Sequence, residues 1–254
     1  MRFVATLMPT FKITVAYDGT DFIGWQRQPS GTSIQGLLEN ALSELDERDV
    51  TVIGAGRTDA GVHALGQVAA FSLERNIAPD ALVRAINVRL PESVRVFSAD
   101  AVDASFHARF DASAKTYRYR IWNGDVVSPF ERRYVWHLVG ALDVGAMRDG
   151  ARRIEGRHDF AAFQATGGST HDTEREVIVS RIAENPPSAL IEYEITGSGF
   201  LRHMVRTIVG TLVEIGRGRF SSAWINDVLA SRDRTKAGPT APPGGLFLVR
   251  VDYN

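Results

Sequence analysis

The sequence predicts an α/β (α+β) chain in two halves, and three observations carry that expectation. Apolar residues alternate with period two in short runs and recur at helical spacing in longer ones, and the two patterns interchange along the chain. Over the first 105 or so residues the order is strand, helix, strand, strand, helix, strand, which is that of a ferredoxin-like, split βαβ unit. A second set of such runs begins after Phe106-His107-Ala108-Arg109-Phe110. The expected domains are therefore 1–108 and 109–254, two ferredoxin-like halves whose sheets join into one mixed, mainly antiparallel sheet around a central active-site cleft.

Phe11–Tyr17 alternates as a half-buried strand and stops at the turn Asp18-Gly19-Thr20. From Ser33, a candidate N-cap, Ile34, Leu37, Leu38, Ala41, Leu42 and Leu45 fall at helical spacing. The β-type run Val50–Ile53 leads into a glycine-rich loop, and Gln67–Phe71 leads out of it. Pro79-Asp80 opens a second helix carrying Leu82, Val83, Ile86 and Leu90, and Ser93–Val102 returns as a strand. In the second half Lys115–Trp122 alternates strictly, with Tyr117, Tyr119 and Ile121 on one face and Thr116, Arg118, Arg120 and Trp122 on the other. Asp143 can cap a helix bearing Val144, Met147, Ala151 and Ile154. Glu176–Ile182 and Leu190–Ile195 read as a strand pair joined through the turn at Asn185-Pro186-Pro187. A long helix runs from Phe200 to about Ile215 and ends at Gly216-Arg217-Gly218, and a shorter one covers Ser222–Leu229. The polar, proline-rich stretch Asp233–Gly245 leads to a last strand, Leu246–Val251. Met1–Thr10 has no pattern and is expected to be loosely ordered.

The 254 residues, 44% of them hydrophobic, can build one large or two modest cores. No apolar run approaches the ~20 residues of a membrane helix and no signal-peptide pattern opens the chain, so a cytoplasmic protein away from membranes is expected. The absence of cysteine excludes disulfides, thiol catalysis and cysteine-ligated zinc together. A net charge of -1 does not mark a strongly basic nucleic-acid binder. The charge is uneven, however: residues 1–108 hold 9 Lys+Arg against 13 Asp+Glu, and the remainder 20 against 17. Only Lys12, Lys115 and Lys236 are lysines, so the cation is nearly always guanidinium, the better fork for phosphate. An arginine-rich composition without functional meaning explains that equally well.

The stretch Gly54-Ala55-Gly56-Arg57-Thr58-Asp59-Ala60-Gly61-Val62-His63-Ala64-Leu65-Gly66 is where chemistry concentrates. It lacks the G-K-[ST] ending of a P-loop and the third glycine of a dinucleotide fingerprint. Its single carboxylate, Asp59, fits an Asx-turn or a helix cap as well as a reactive group. Neither G-x-S-x-G nor H-E-x-x-H occurs, and the histidines at 63, 107, 137, 158, 171 and 203 never pair at i, i+3 or i, i+4. What remains is a carboxylate enzyme without a metal, and a carboxylate can serve as a nucleophile. An ordinary Asp, with a pKa of about 3.9, is already ionised at neutral pH and needs orientation and a countercharge more than a base. Arg57 shares a face with Asp59 if the loop is extended, and Arg202 and Arg206 fall one turn apart on the long helix. These arginines also fit phosphate binding or a solvated polar helix face. Tyr117 is either a core aromatic or a platform for a base, where stacking contributes roughly 1 to 3 kcal/mol. Lys115, Arg118 and Arg120 beside it suit RNA phosphates. His63 is a candidate base, or it simply orders the loop.

Gly56-Arg57-Thr58-Asp59-Ala60-Gly61-Val62-His63-Ala64 resembles the signature of the tRNA pseudouridine synthase A family. Asp18–Gln26 is similar to that family's first turn, Lys115-Thr116-Tyr117-Arg118-Tyr119 to its tyrosine motif, Phe200–Arg206 to its arginine helix and Ala241–Leu246 to its C-terminal loop. The departures are an N-terminal extension of about ten residues and Arg202, where some relatives place another polar residue. The resemblance implies an isomerase that turns uridine into pseudouridine at positions 38, 39 and 40 of the tRNA anticodon stem-loop, as a homodimer needing neither metal nor organic cofactor. It implies Asp59 as the nucleophile, Tyr117 stacking on the flipped base and moving a proton, and Arg206 pairing with Asp59. Leu246 would close the apolar side of the pocket and Arg57 would sit against the displaced backbone. Extruding the base costs a few kcal/mol. Attack at C1′, attack at C6 and a glycal route all stay open. Two rival classes also stay open: a non-catalytic RNA-binding protein, for which no RNP1-type stretch is present, and a hydrolase using Asp59 and His63.

Overall fold

The computed structural model of the chain describes residues 8–165, 167, 172–184 and 187–254. Among them are ten strands and five α-helices, a mixed α/β chain with mainly antiparallel pairing. The chain divides into two compact units, Met1–Ser113 with Leu248–Asn254, and Ala114–Phe247.

In the first unit β1 (Thr10–Tyr17), α1 (Ile34–Asp46), β2 (Ile53–Gly54), β3 (His63–Ser72), α2 (Pro79–Asn87) and β4 (Val94–Val102) follow the split βαβ order. β1 is antiparallel to β3 on one side and to β4 on the other, and β2 is antiparallel to β3. Residues from Leu248 onward in the last strand, β10 (Leu246–Tyr253), run beside β3. Alternation along β1 buries Phe11, Ile13 and Val15, and the helices add Ile34, Leu38, Leu42, Leu82 and Ile86 to the same core. Ser33 caps α1 as its sequence position indicates, its Oγ accepting the Gly36 N–H at 3.2 Å.

Several boundaries differ from the sequence expectation. The run Val50–Ile53 contributes only Ile53 to a strand, because side chains of α1 take its other donors: the Val50 N–H goes to Ser43 Oγ and the Val52 N–H to Glu39 Oε1. β3 begins at His63, four residues before Gln67, so the second half of the glycine stretch is strand. Leu90 is buried but lies past the end of α2.

The second unit holds β5 (Ala112–Asn123) from Ala114 onward, β6 (Trp136–Leu138), α3 (Val144–Arg152), β7 (Gly156–Asp159), β8 (Glu174–Glu184), β9 (Leu190–Gly197), α4 (Met204–Gly216) and α5 (Trp224–Ser231). Its strands run β5-β9-β8-β7, each antiparallel to the next, with β6 parallel to β5. Tyr119, Tyr193, Ile195, Phe160 and Phe163 are buried there with nearly the whole of α4. Asp143 caps α3 as expected, accepting the Ala146 N–H at 2.8 Å. β6 and β7, of three and four residues, are too short to show a period and were not expected. Residues 1–7, most of the N-terminal extension, lie outside the described residues, as do His171 and the Asn185-Pro186 part of the proposed turn. No helix among the described residues is long and apolar enough to cross a membrane.

Candidate active site

Asp59 stands in the first unit on a loop held from several sides. Gly56 C=O accepts from the Gln67 side chain at 2.8 Å, and the Ala55 N–H reaches Val68 O at 2.8 Å. Thr58 is buried, its hydroxyl 2.8 Å from that of Tyr17 and its carbonyl accepting the Trp25 N–H at 3.0 Å. On either side of the buried Thr58, Arg57 is exposed and Asp59 is half-buried. The Asp59 carbonyl closes the turn by accepting the Val62 N–H at 3.1 Å, and Gly61 takes φ +75° there.

The segment Asp18–Gln26 wraps this loop. Gly24, at φ +103°, brings its backbone so close to the loop that a methyl group on it would come within 2.6 Å of Thr58 O. Trp25, fully buried, lies over Gly54. The Asp18 carboxylate accepts from Thr20 N and Oγ1 and so forms the turn read from sequence. His63 is 1% exposed, and its Nδ1 accepts the Gly19 N–H at 3.0 Å, which joins the start of β3 to this turn. That is the loop-ordering role. Burial pushes the Tyr17 hydroxyl up to about 12, partly offset by its hydrogen bonds to Thr58 and Gln67, so it stays protonated.

In the second unit Tyr117 is buried on β5, with its ring 5.1 Å edge-on to Phe200. Two residues on, the Tyr119 hydroxyl donates to Pro242 O at 2.8 Å. Its burial drives the pKa far above the ordinary phenol range, drawn back in part by the positive charge of Arg206. Arg206 Nε donates to Ala241 O at 2.7 Å, and the Ala241 N–H returns to Arg206 O at 3.1 Å. Leu246, 5% exposed, follows the 3-10 turn Pro243–Gly245 as the first residue of β10. Arg206, Tyr119 and the loop ending at Leu246 therefore form one connected group.

Two sequence expectations are corrected here. α4 starts at Met204, because His203 takes a left-handed conformation at φ 60°, so Arg202 is outside the helix and shares no stripe with Arg206. Arg118 and Arg120, read as suited to phosphates, meet carboxylates: on the neighbouring strand β9 Glu194 is 3.2 Å from Arg118 and Glu192 is 3.7 Å from Arg120, and Glu131, after β5, is 3.0 Å from Arg120. Sequence reasoning passed over Tyr17, Trp25 and Gln67. The signals for them were a glutamine opening an otherwise apolar strand run and, for Trp25, its place in the Asp18–Gln26 stretch.

Comparison with known proteins places these features in context. A family model described as tRNA pseudouridine synthase matches residues 13–111 and 151–254. A protein of Moorella thermoacetica named tRNA pseudouridine synthase A is 47% identical over 97% of this chain and 100% of its own. Proteins of the same name from Solibacter usitatus, 47% identical over 97% of this chain and 100% of their own, and Myxococcus xanthus, 46% over 97% and 92%, are similarly close. With the Asp59 loop and the arginine helix inside the matched residues, and relatives alike over 97% of this chain, the chain belongs to the tRNA pseudouridine synthase family.

Proposed function

We propose that this chain isomerises uridine to pseudouridine at positions 38, 39 and 40 of the tRNA anticodon stem-loop, with Asp59 as nucleophile. The reaction breaks the N1–C1′ bond and forms C5–C1′, while N1 gains a proton and C5 loses one. Atoms and oxidation state are conserved, so the chemistry calls for a place to hold the freed uracil and no added reactant. Asp59 attacks the nucleotide, Arg206 supplies its countercharge, and Tyr117 stacks on the extruded base and moves a proton. Leu246 bounds the apolar side of the pocket, and Arg57 occupies the gap the base leaves. The protein acts as a homodimer in the cytoplasm.

The observation that carries this reading is the Asp59 loop: a half-buried carboxylate on a backbone whose buried neighbour is anchored from below. A reactive group needs such rigid support with one open face. The test is incubation with unmodified tRNA followed by mapping of carbodiimide-resistant adducts. Adducts at 38, 39 and 40 are expected; a tRNA that emerges without them rejects the assignment.

A further inference from the structure

We infer that Tyr17, Thr58 and Gln67 form a positioning network that sets where Asp59 presents its carboxylate, an inference resting on the nucleophile reading above. The three come from the end of β1, the loop and the middle of β3, and they are 4%, 6% and 0% exposed. Gln67 faces Val15 across the β1–β3 register, among Val68, Ala69 and Ala70, where an apolar side chain would satisfy the core. A glutamine there has to find partners for its amide, and it finds them in the loop. Its Nε2 donates to Gly56 O at 2.8 Å, its Oε1 accepts the Val68 N–H at 3.2 Å, and the side chain also hydrogen-bonds Tyr17. The Tyr17 hydroxyl in turn lies 2.8 Å from Thr58 Oγ1.

One chain of polar contacts thus grips the loop at residues 56 and 58, between which Arg57 is exposed and after which Asp59 is half-buried. Asp59 follows Thr58 directly, so any shift of the buried threonine is passed to the carboxylate through a single peptide unit. A satisfied buried network selects one arrangement where apolar packing tolerates several. The Tyr17 ring, 6.3 Å from that of Trp25, already supplies the packing, which leaves the hydroxyl for orientation.

The separating experiment uses the full chain with unmodified tRNA, measuring kcat, KM and melting temperature for Tyr17→Phe, Thr58→Val and Thr58→Ser. Tyr17→Phe and Thr58→Val should each lower kcat roughly 10- to 100-fold, as expected for a misplaced reacting group. KM should stay within about twofold, because an interaction used only in the transition state is lost. Thr58→Ser, which keeps the hydroxyl, should recover kcat to within about threefold of the unaltered protein, and the double variant should lose no more than the worse single because both break one contact. Tyr17→Phe keeps the ring and carries the test if Thr58→Val does not fold. Wild-type kcat in either Tyr17→Phe or Thr58→Val, losses confined to KM, or a Thr58→Ser variant as poor as Thr58→Val would each overturn the network. Asp59→Asn runs in parallel. If it is inactive while Tyr17→Phe turns over normally, only the network fails; if it is itself active, the nucleophile reading fails and takes the network with it.

Discussion

Two irregular segments, 54–62 in the first unit and 237–246 in the second, share a composition of glycine and small residues but are held by different means. The first is tied by neutral side chains beneath it, Gln67 to Gly56 and Tyr17 to Thr58. The second is laid on a helix. Gly238 N–H donates to Thr211 Oγ1 at 2.9 Å, Arg234 donates to Gly238 O at 3.0 Å and to Thr240 Oγ1 at 2.9 Å, and Arg206 holds Ala241 O. Gly210 makes the approach possible, since a methyl there would collide with the carbonyl of Pro239. Anchoring by side chains below leaves outward side chains free to be aimed. Anchoring by backbone contact fixes the path of the main chain, which here delivers Leu246 into β10.

That contrast can be broken at its first term by Asp59→Asn. If the first segment carries the reacting group, pseudouridine formation should be abolished while tRNA binding, measured by filter retention, stays within about tenfold, the signature of an interaction used in the transition state. A variant that still forms pseudouridine removes the distinction between the segments. The second term is tested by Gly210→Ala, which should lower stability by about 3 kcal/mol or more through overpacking against Pro239, read as a fall in the urea midpoint. Gly218→Ala is its control. That glycine is exposed at φ +72° with open space around it, so the cost should be only the left-handed backbone penalty of about 1 kcal/mol. Equal losses would mean that steric closeness on α4 is not what holds the second segment.

Smaller changes sharpen the comparison. Thr211→Val leaves the buried Gly238 N–H without its acceptor and should cost about 1 to 3 kcal/mol, again by urea denaturation, with no change in the first unit. The smallest effect is on pH dependence. The Thr173 hydroxyl, the Ala161 N–H and the Arg232 guanidinium together hold the Asp159 carboxyl below the usual carboxylate range against a smaller opposing effect of burial, and Thr235 does the same for Asp233. A carboxyl depressed in the folded state contributes stability above its unfolded pKa of about 3.9, and that contribution is lost as pH falls through the depressed value. Tyr17, Thr58 and Gln67 carry no charge in acid. Amide-exchange protection, corrected for intrinsic rates, should therefore weaken toward about pH 3 across 232–240 before it weakens across 54–58. Simultaneous loss in both segments contradicts the division between charged and neutral anchoring.

Much of the architecture was legible because it is local. Ser33 and Asp143 mark their helices by capping, and the alternation in Phe11–Tyr17 and, apart from the buried Thr116, in Lys115–Trp122 survives as burial on one face. The candidate site was legible where a contiguous string carries it: Asp59 and Arg57 stand in nine consecutive residues that resemble the family signature. Distances along the chain hid the rest. Tyr17 and Thr58 are 41 residues apart, and Gln67 looks like one polar residue at the edge of an apolar run. Val50–Ile53 has the composition of a strand, yet its backbone donors go to side chains of a helix that precedes it.

By itself, then, the sequence determined the alternation of strands and helices, the two caps, the glycine-rich loop around Asp59 and the family, because each is written in neighbouring residues. Only the tertiary structure decided that Arg202 leaves the helix, that Arg118 and Arg120 meet carboxylates, and that Thr58, beside Asp59, joins a buried polar network. Those outcomes depend on which side chains satisfy buried polar groups across long sequence separations, and a pattern of neighbours does not encode such pairings.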